Sequence, residues 1–262
     1  MPGSKNAPFA KATGAFHLRI EIRGAIGRPR GQPGGRRSAA GFVFVRSCRP
    51  DSIFQTRNVL MKLYYSPGAC SMAPHIVARE AGHKIDLEKV DIPAKKTAGG
   101  GDYWAVNPKG YVPALQLDDG QVLTEVGVLI QYLADQKPES GLTAKLGTMD
   151  RYHQMEAVNF AATEIHKQLG ALFNPKMTPE MKEVQLGTIE RRFNALEKML
   201  AGKQFIMGDK FTVADAYLFA VLRWTDMLKV DLGKWPNIRN FVARVAARPA
   251  VQETMKAEGL LK

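Results

Sequence analysis

The sequence predicts an α/β unit followed by an all-α unit, and three observations carry that expectation. Between residues 61 and 141, short strand-like runs and helical patterning follow the order strand, helix, strand, strand, strand, helix. From residue 146 to residue 262 the strand signals stop and apolar residues recur at steps of three and four. Ahead of both, residues 1–60 include "RGAIGRPRGQPGGRRSAAG", too rich in Gly, Pro and Arg to bury a core, and this segment is expected to be mostly disordered.

Each element has its own justification. Within the extension, "FHLRIEIRG" alternates Phe16, Leu18, Ile20 and Ile22 against polar neighbours and is strand-like if given a partner. "MKLYY" is the first convincing strand, a helix runs from after Cys70 to "REAGHK", and Gly82 supplies its stop. "KIDLEKVDI" reads as a strand with a slip in its alternation. "VPALQLDDGQVLTE" is a hairpin in which Ala114 to Leu117 and Gln121 to Leu123 flank the Asp119-Gly120 turn. A helix follows, with Thr124 as its cap and Leu129, Ile130 and Leu133 as its buried side. In the helical unit, Met155, Val158, Ala162, Ile165, Leu169 and Leu172 form one apolar stripe, and Ile189, Phe193, Leu196 and Leu200 form the next. "FTVADAYLFAVLRW" opens with Thr212 and, three residues on, Asp215, a capping-box spacing. "IRNFVARVAARPAV" supplies the final helices.

Charge and cysteine usage exclude several function classes. The formal net charge is +12, but residues 1–60 hold 11 Lys and Arg against two acids, whereas the remainder holds 26 against 23. The basicity therefore belongs to the extension, and nucleic acid is not expected as a partner except through it. Three readings of residues 1–60 stay open: an upstream in-frame extension with no function, favoured because Met61 opens the first strand; a targeting segment; or a nucleic-acid-binding arm. No apolar run approaches the roughly 20 residues needed to cross a bilayer, so no membrane is expected. Cys48 and Cys70 allow at most one bridge and no zinc cluster, which excludes a disulfide scaffold and a metal and makes a reducing cytoplasm the easier home.

Four features could carry chemistry. Cys70 follows the turn "SPGA" and precedes a helix, whose N-terminus would lower its thiol pKa; the alternative is a small buried residue. Positions 67 and 73 are Pro67 and Ala73, so any redox chemistry is monothiol. Pro113 after Val112 marks either a first strand position or a cis bond that turns the Val112 backbone toward a ligand. Glu125 and Val126 stand at a helix N-terminus able to bind an anion, although Glu125 alone would complement the helix dipole. His166 borders an apolar stripe, within reach of a neighbouring domain or as an ordinary polar residue.

Together, "YYSPGACSMAPH", "VNPKGYVPALQLDDG", "LTEVGVLIQYLAD", "ATEIHKQL", "FTVADAYLFAVLRW" and "RVAARPAVQ" resemble the bacterial glutathione transferases of the beta class from Met61 to Lys262. The resemblance implies a thioredoxin-like N-terminal domain that binds glutathione, an all-helical C-terminal domain that covers the electrophile, and a homodimer. It implies that Cys70 and His166 approach the glutathione sulfur and that Val112, before a cis Pro113, pairs with the cysteinyl backbone. Glu125 and Val126 would hold the γ-glutamyl end, Lys95 would lie near the glycyl carboxylate, and Lys167 would serve the partner subunit's site. Many relatives have Ser or Gly where Val126 stands, so here only a backbone N–H serves the carboxylate. Met72, Phe173 and Trp224 are candidates by position for the electrophile wall, with plain core as the alternative.

The expected activity is conjugation of glutathione, whose thiolate is favoured by preorganised donors, to small hydrophobic electrophiles. Two alternatives are carried. One is a glutathione-dependent thiol–disulfide oxidoreductase or peroxidase in which Cys70 itself attacks. The other is a non-catalytic glutathione-binding regulator whose extension binds nucleic acid.

Overall fold

The structure is a computed structural model and describes residues 61–261. The extension, with its strand-like "FHLRIEIRG" and Cys48, lies outside the described residues.

β1 (Met61–Tyr65) is the central strand, and its apolar run is explained by burial on both faces. Met61, Leu63 and Tyr65 belong to the main core, while Tyr64 packs on the opposite face with Val90, Tyr103, Val112 and Ala114. β2 (Ile85–Asp91) runs parallel to β1 with Met61 opposite Ile85, and β4 (Ala114–Gln116) runs antiparallel with Leu63 opposite Leu115. β3 (Lys96–Thr97) pairs with β2 and β5 (Val122–Thr124) with β4, giving a mixed sheet of order β3-β2-β1-β4-β5. α1 (Met72–Glu80) is the crossover between β1 and β2, and α3 (Val126–Asp135) packs beside it. The hairpin turns as expected, with Gly120 at φ +83° and its N–H donating to the Leu117 carbonyl at 3.0 Å. Two short elements escaped the periodicity argument, β3 with two residues and α2 (Tyr103–Val106) with four. α2 had a local signal, because the Asp102 carboxylate accepts from the Trp104 N–H at 3.0 Å.

One expectation at the next helix is corrected. Thr124 ends β5 and does not cap α3; Glu125 holds the cap position at φ +72° and makes no capping side-chain bond. Lys109 takes the Thr124 hydroxyl instead, Nζ to Oγ1 at 3.0 Å.

The rest of the described chain is helical. α4 (Met149–Phe160) continues through a π-helical turn (Ala161–His166) into α5 (Lys167–Ala171), followed by α6 (Pro179–Leu200) and α7 (Val213–Leu222). α8 (Trp224–Leu228), α9 (Pro236–Ala246) and α10 (Pro249–Ala257) complete it. The stripe of α6 is buried as the spacing predicts. Along α4 to α5 the seam differs: Ala157, Val158, Ala161, Ile165 and Leu169 are buried, whereas Met155, Ala162 and Leu172 are only half-buried. The i→i+5 turn winds more slowly than an α-helix and shifts the phase of the apolar positions.

α7 is the hub. All ten of its residues are buried, and it packs against α1, α3, α4, α9 and the π turn, as a helix apolar on every side must. The capping box forms at its start, where Asp215 accepts from the Ile206 N–H at 2.7 Å and from the Thr212 N–H and hydroxyl at 2.8 Å each. Burial pushes the Asp215 carboxyl up to about 6, against the pull of those donors.

Candidate active site

A cleft of about 550 Å³ opens where the loop before α1, the start of β4 and the β5–α3 junction face the π turn, α7 and α8. Cys70, Val112, Pro113, Glu125, Val126, His166, Lys167 and Trp224 all line it. A second hollow of about 570 Å³, between Thr225 and Ala243, contains none of the residues singled out from the sequence.

The loop carrying Cys70 is clamped at Gly68. Its N–H donates to the Glu258 carboxylate of the segment after α10 at 2.9 Å, and its carbonyl accepts from Trp224 Nε1 at 2.9 Å. A left-handed φ of +73° makes glycine the natural residue there. Cys70 then faces the cleft with its thiol aimed at the Val112 carbonyl, 3.5 Å away. The expected lowering of its pKa is not found. α1 begins at Met72 with Ser71 as its cap, leaving Cys70 outside the helix. Burial pushes the thiol up to about 12, Glu125 adds to the rise, and the Cys70 and Ser71 N–H groups oppose it without prevailing. At neutral pH Cys70 is a protonated hydrogen-bond donor.

Opposite it, the Val112–Pro113 peptide is cis. Asn107, 1% exposed, shapes the approach by donating from Nδ2 to the Tyr111 carbonyl at 2.7 Å and accepting the Lys109 N–H at 3.1 Å. This delivers the Lys109 ammonium to Glu125, Nζ to Oε1 at 2.6 Å, so that a cation and an anion stand side by side on the cleft rim. Val126 turns its side chain into the core and leaves its backbone at the start of α3. With no side-chain cap, the first N–H groups of that helix form a partial positive pole.

His166 comes from the other side, as the last residue of the π turn. Its Nδ1 lies 2.7 Å from the Tyr217 hydroxyl, and its ring meets Trp224 edge-on at 5.0 Å. Burial holds the imidazole down at about 4, the Lys167 charge helps and Glu125 opposes, so the ring is neutral at physiological pH. Lys167 is exposed at the lip of this cleft.

Three predicted residues lie elsewhere. Lys95 does not line the cleft; its Nζ donates to the Gly110 carbonyl at 2.7 Å and stacks over Trp104, bracing the loop that carries Lys109. Met72 is fully buried in the core with its Sδ beside the Arg223 guanidinium, because it is the first residue of the crossover helix and faces inward. Phe173 is 45% exposed and extends the apolar wall only indirectly, edge-on to Trp224 at 5.4 Å. Tyr217, Lys109 and Asn107 were missed. Tyr217 carried a readable signal, since a phenol inside a wholly apolar helix needs a hydrogen-bond partner.

The cleft can therefore hold an anion with neutral donors, pair with a zwitterionic end group, and offer an apolar surface beside them. Among the described residues no group of three His, Cys, Asp or Glu side chains is placed to hold a metal, and no helix is long and apolar enough to cross a membrane.

Comparison with known proteins agrees with this layout. Residues 63–141 match the family described as glutathione S-transferase, N-terminal domain, and residues 160–249 the family described as glutathione S-transferase, C-terminal domain. Glutathione S-transferase GstA of Escherichia coli O157:H7 is 46% identical over 200 residues, covering 76% of this chain and all of the relative. A solved glutathione transferase from Methylococcus capsulatus is 57% identical with a TM-score of 0.76, covering 77% of this chain and all of that one. The bacterial beta class transferase of Sphingomonas chungbukensis is 42% identical with a TM-score of 0.74, covering 76% of this chain and all of that one.

Proposed function

We propose, from the premise that this chain belongs to the glutathione S-transferase family and is a glutathione transferase, that it joins glutathione to small hydrophobic electrophiles in this cleft. The observation that carries the reading is the convergence of His166 and Cys70, from opposite sides, on a cleft that also contains the uncapped start of α3. In this reading Glu125 takes the γ-glutamyl amino group, and the Val126 N–H and Lys109 share the adjacent carboxylate. The Val112 backbone pairs with the cysteinyl residue. Lys95, held on the Gly110 carbonyl, supports the loop rather than the ligand. Trp224, with Phe173 beyond it, gives the electrophile an apolar wall.

Glutathione must lose its thiol proton to attack. His166 acts on that sulfur as a donor, joined by the Cys70 N–H or by the Cys70 thiol turned from the Val112 carbonyl, favouring the thiolate as they would any developing anion. The competing reading, in which Cys70 attacks disulfides, is disfavoured by the buried, protonated state of this thiol. The same family reading expects a homodimer in which Lys167, which here lines its own chain's cleft, serves the partner's site; the cysteine usage is what favours a reducing cytoplasm. Exposed apolar residues on the outer faces of α3 and α4, Val128, Met149 and Tyr152, support a covered surface there.

The test is conjugation of a chloronitroarene by the wild type and by Cys70→Ala. Turnover in both is the expected result. Activity confined to mixed disulfides and lost in Cys70→Ala would overturn the reading.

A further inference from the structure

Tyr217 has no role in the reading so far, although its hydroxyl makes the closest polar contact to the ring of His166. We infer that Tyr217 is a positioning residue that fixes His166 in the tautomer with its proton on Nε2, so that the imidazole meets the substrate sulfur as a donor and never as a base. The inference rests on the placement of glutathione in this cleft.

Three observations carry it. Tyr217 is 3% exposed within a helix buried on all sides, and among the described residues its hydroxyl has one hydrogen-bond partner, His166 Nδ1. Two proton arrangements are open to such a pair. If Nδ1–H donated to the phenol oxygen, the phenol's own proton would have to find its acceptor in the cleft, which Tyr217 also lines; if the phenol donates to Nδ1, both groups are satisfied within the protein. The separation of 2.7 Å leans the same way, since it falls at the usual length for an O–H donor and at the short end of the range for an N–H donor to oxygen. Finally, an imidazole nitrogen is a far better acceptor than a phenol oxygen, and Tyr217 stays a phenol: burial raises its pKa well above the ordinary range, with Cys70 and Glu125 adding to the rise.

The consequence follows from counting ring nitrogens. With Nδ1 filled by Tyr217, Nε2–H is the remaining polar edge of a ring that lines the cleft and is held edge-on by Trp224 at 5.0 Å. The groups bearing on this ring are Lys167 and Glu125, whose opposed charges leave burial as the main influence on its protonation. A ring in this state has no free lone pair for the thiol proton of glutathione. That proton passes to solvent water, the sulfur keeps the electron pair under the Nε2–H donor, and the pair then forms the bond to the electrophile as its leaving group departs.

The experiment uses the full chain with ¹⁵N-labelled histidine, the His166 signals being assigned by their loss in His166→Gln. The expected spectrum of the wild type without ligand shows an unprotonated, pyridine-like Nδ1 and a protonated, pyrrole-like Nε2; a protonated Nδ1 overturns the inference. Tyr217→Phe should release the preference and populate both tautomers. In the same variant the thiolate absorbance of bound glutathione, followed against pH, should titrate about one unit higher, and kcat should fall roughly tenfold with the KM for glutathione little changed. An unchanged thiolate titration with a raised KM assigns Tyr217 to packing alone and refutes the positioning role. Failure of the wild type to bind glutathione would sink the functional reading instead, and the tautomer spectrum of the free protein tells the two failures apart.

Discussion

Asp215→Ala removes the acceptor on which the start of α7 converges. Asp215 is fully buried and receives the Ile206 N–H, the Thr212 N–H and the Thr212 hydroxyl within 2.7–2.8 Å. The hydroxyl can rotate to another acceptor, but the two backbone donors cannot. An unmet buried donor costs about 1–3 kcal/mol, and loss of a helix cap by itself about 0.5–2. Partial entry of water favours the lower end, so the expected destabilisation is about 2–4 kcal/mol. That is a large fraction of the roughly 5–15 kcal/mol that holds a typical domain together. The consequence reaches beyond one cap, because α7 packs against α1, α3, α4 and α9. The assay is equilibrium urea unfolding followed by fluorescence of Trp104, Trp224 and Trp235, with Asp215→Asn in parallel. The asparagine keeps one acceptor oxygen and should fall between the wild type and the alanine variant. A free energy of unfolding for Asp215→Ala within about 0.5 kcal/mol of the wild type, the range of ordinary surface substitutions, would refute the reasoning.

His166 gives a pH signature with a definite sign. Its folded pKa of about 4 lies below the unfolded value of roughly 6.5, so between these values the unfolded chain binds a proton that the fold refuses. Its contribution is fully present above pH 6.5 and is lost as pH falls toward 4, by on the order of 3 kcal/mol; a wild-type minus His166→Gln stability difference that stays flat from pH 7 to 4 contradicts this. Cys70, with its thiol at about 12, should react with iodoacetamide at neutral pH at least ~100-fold more slowly than an unstructured cysteine. A native rate near that of a free thiol, with a midpoint below pH 8, would restore the lowered pKa expected from the sequence. Glu125→Gln should weaken glutathione binding by about 10- to 100-fold, the worth of a charge-assisted hydrogen bond. Lys109→Met removes one of the two groups assigned to the adjacent carboxylate, the half-exposed one, and should weaken binding less than Glu125→Gln, by about fivefold, because the Val126 N–H remains; titration calorimetry giving the reverse order would reassign the anchor of the γ-glutamyl end.

Local patterns in the sequence determined most of the fold. Met61–Tyr65 as a strand, the Asp119-Gly120 hairpin, the α6 stripe from Ile189 to Leu200 and the Thr212–Asp215 box all depend on residues a few positions apart, whose spacing dictates the geometry. Capping box and turn signals survive into the fold because they satisfy backbone groups of their own segment. The motif order also brought Cys70, Val112, Glu125 and His166 forward as a set, and the cleft contains all four. What the sequence could not supply was environment. Cys70 precedes a helix, which argues for a thiolate, but only packing shows that it is buried and one residue ahead of the helix cap, so desolvation outweighs the nearby N–H groups. Thr124 has the chemistry of a cap, yet the register of β5 against β4 keeps it in the strand and leaves the cap position to Glu125. Met72 has the position of a wall residue, but α1 turns it into the core. The π turn, and with it the pairing of His166 with a phenol 51 residues further along the chain, is likewise a tertiary outcome. Burial, register and long-range pairing are properties of where distant segments meet, and these are the terms that decide which groups in the cleft carry charge and which carry protons.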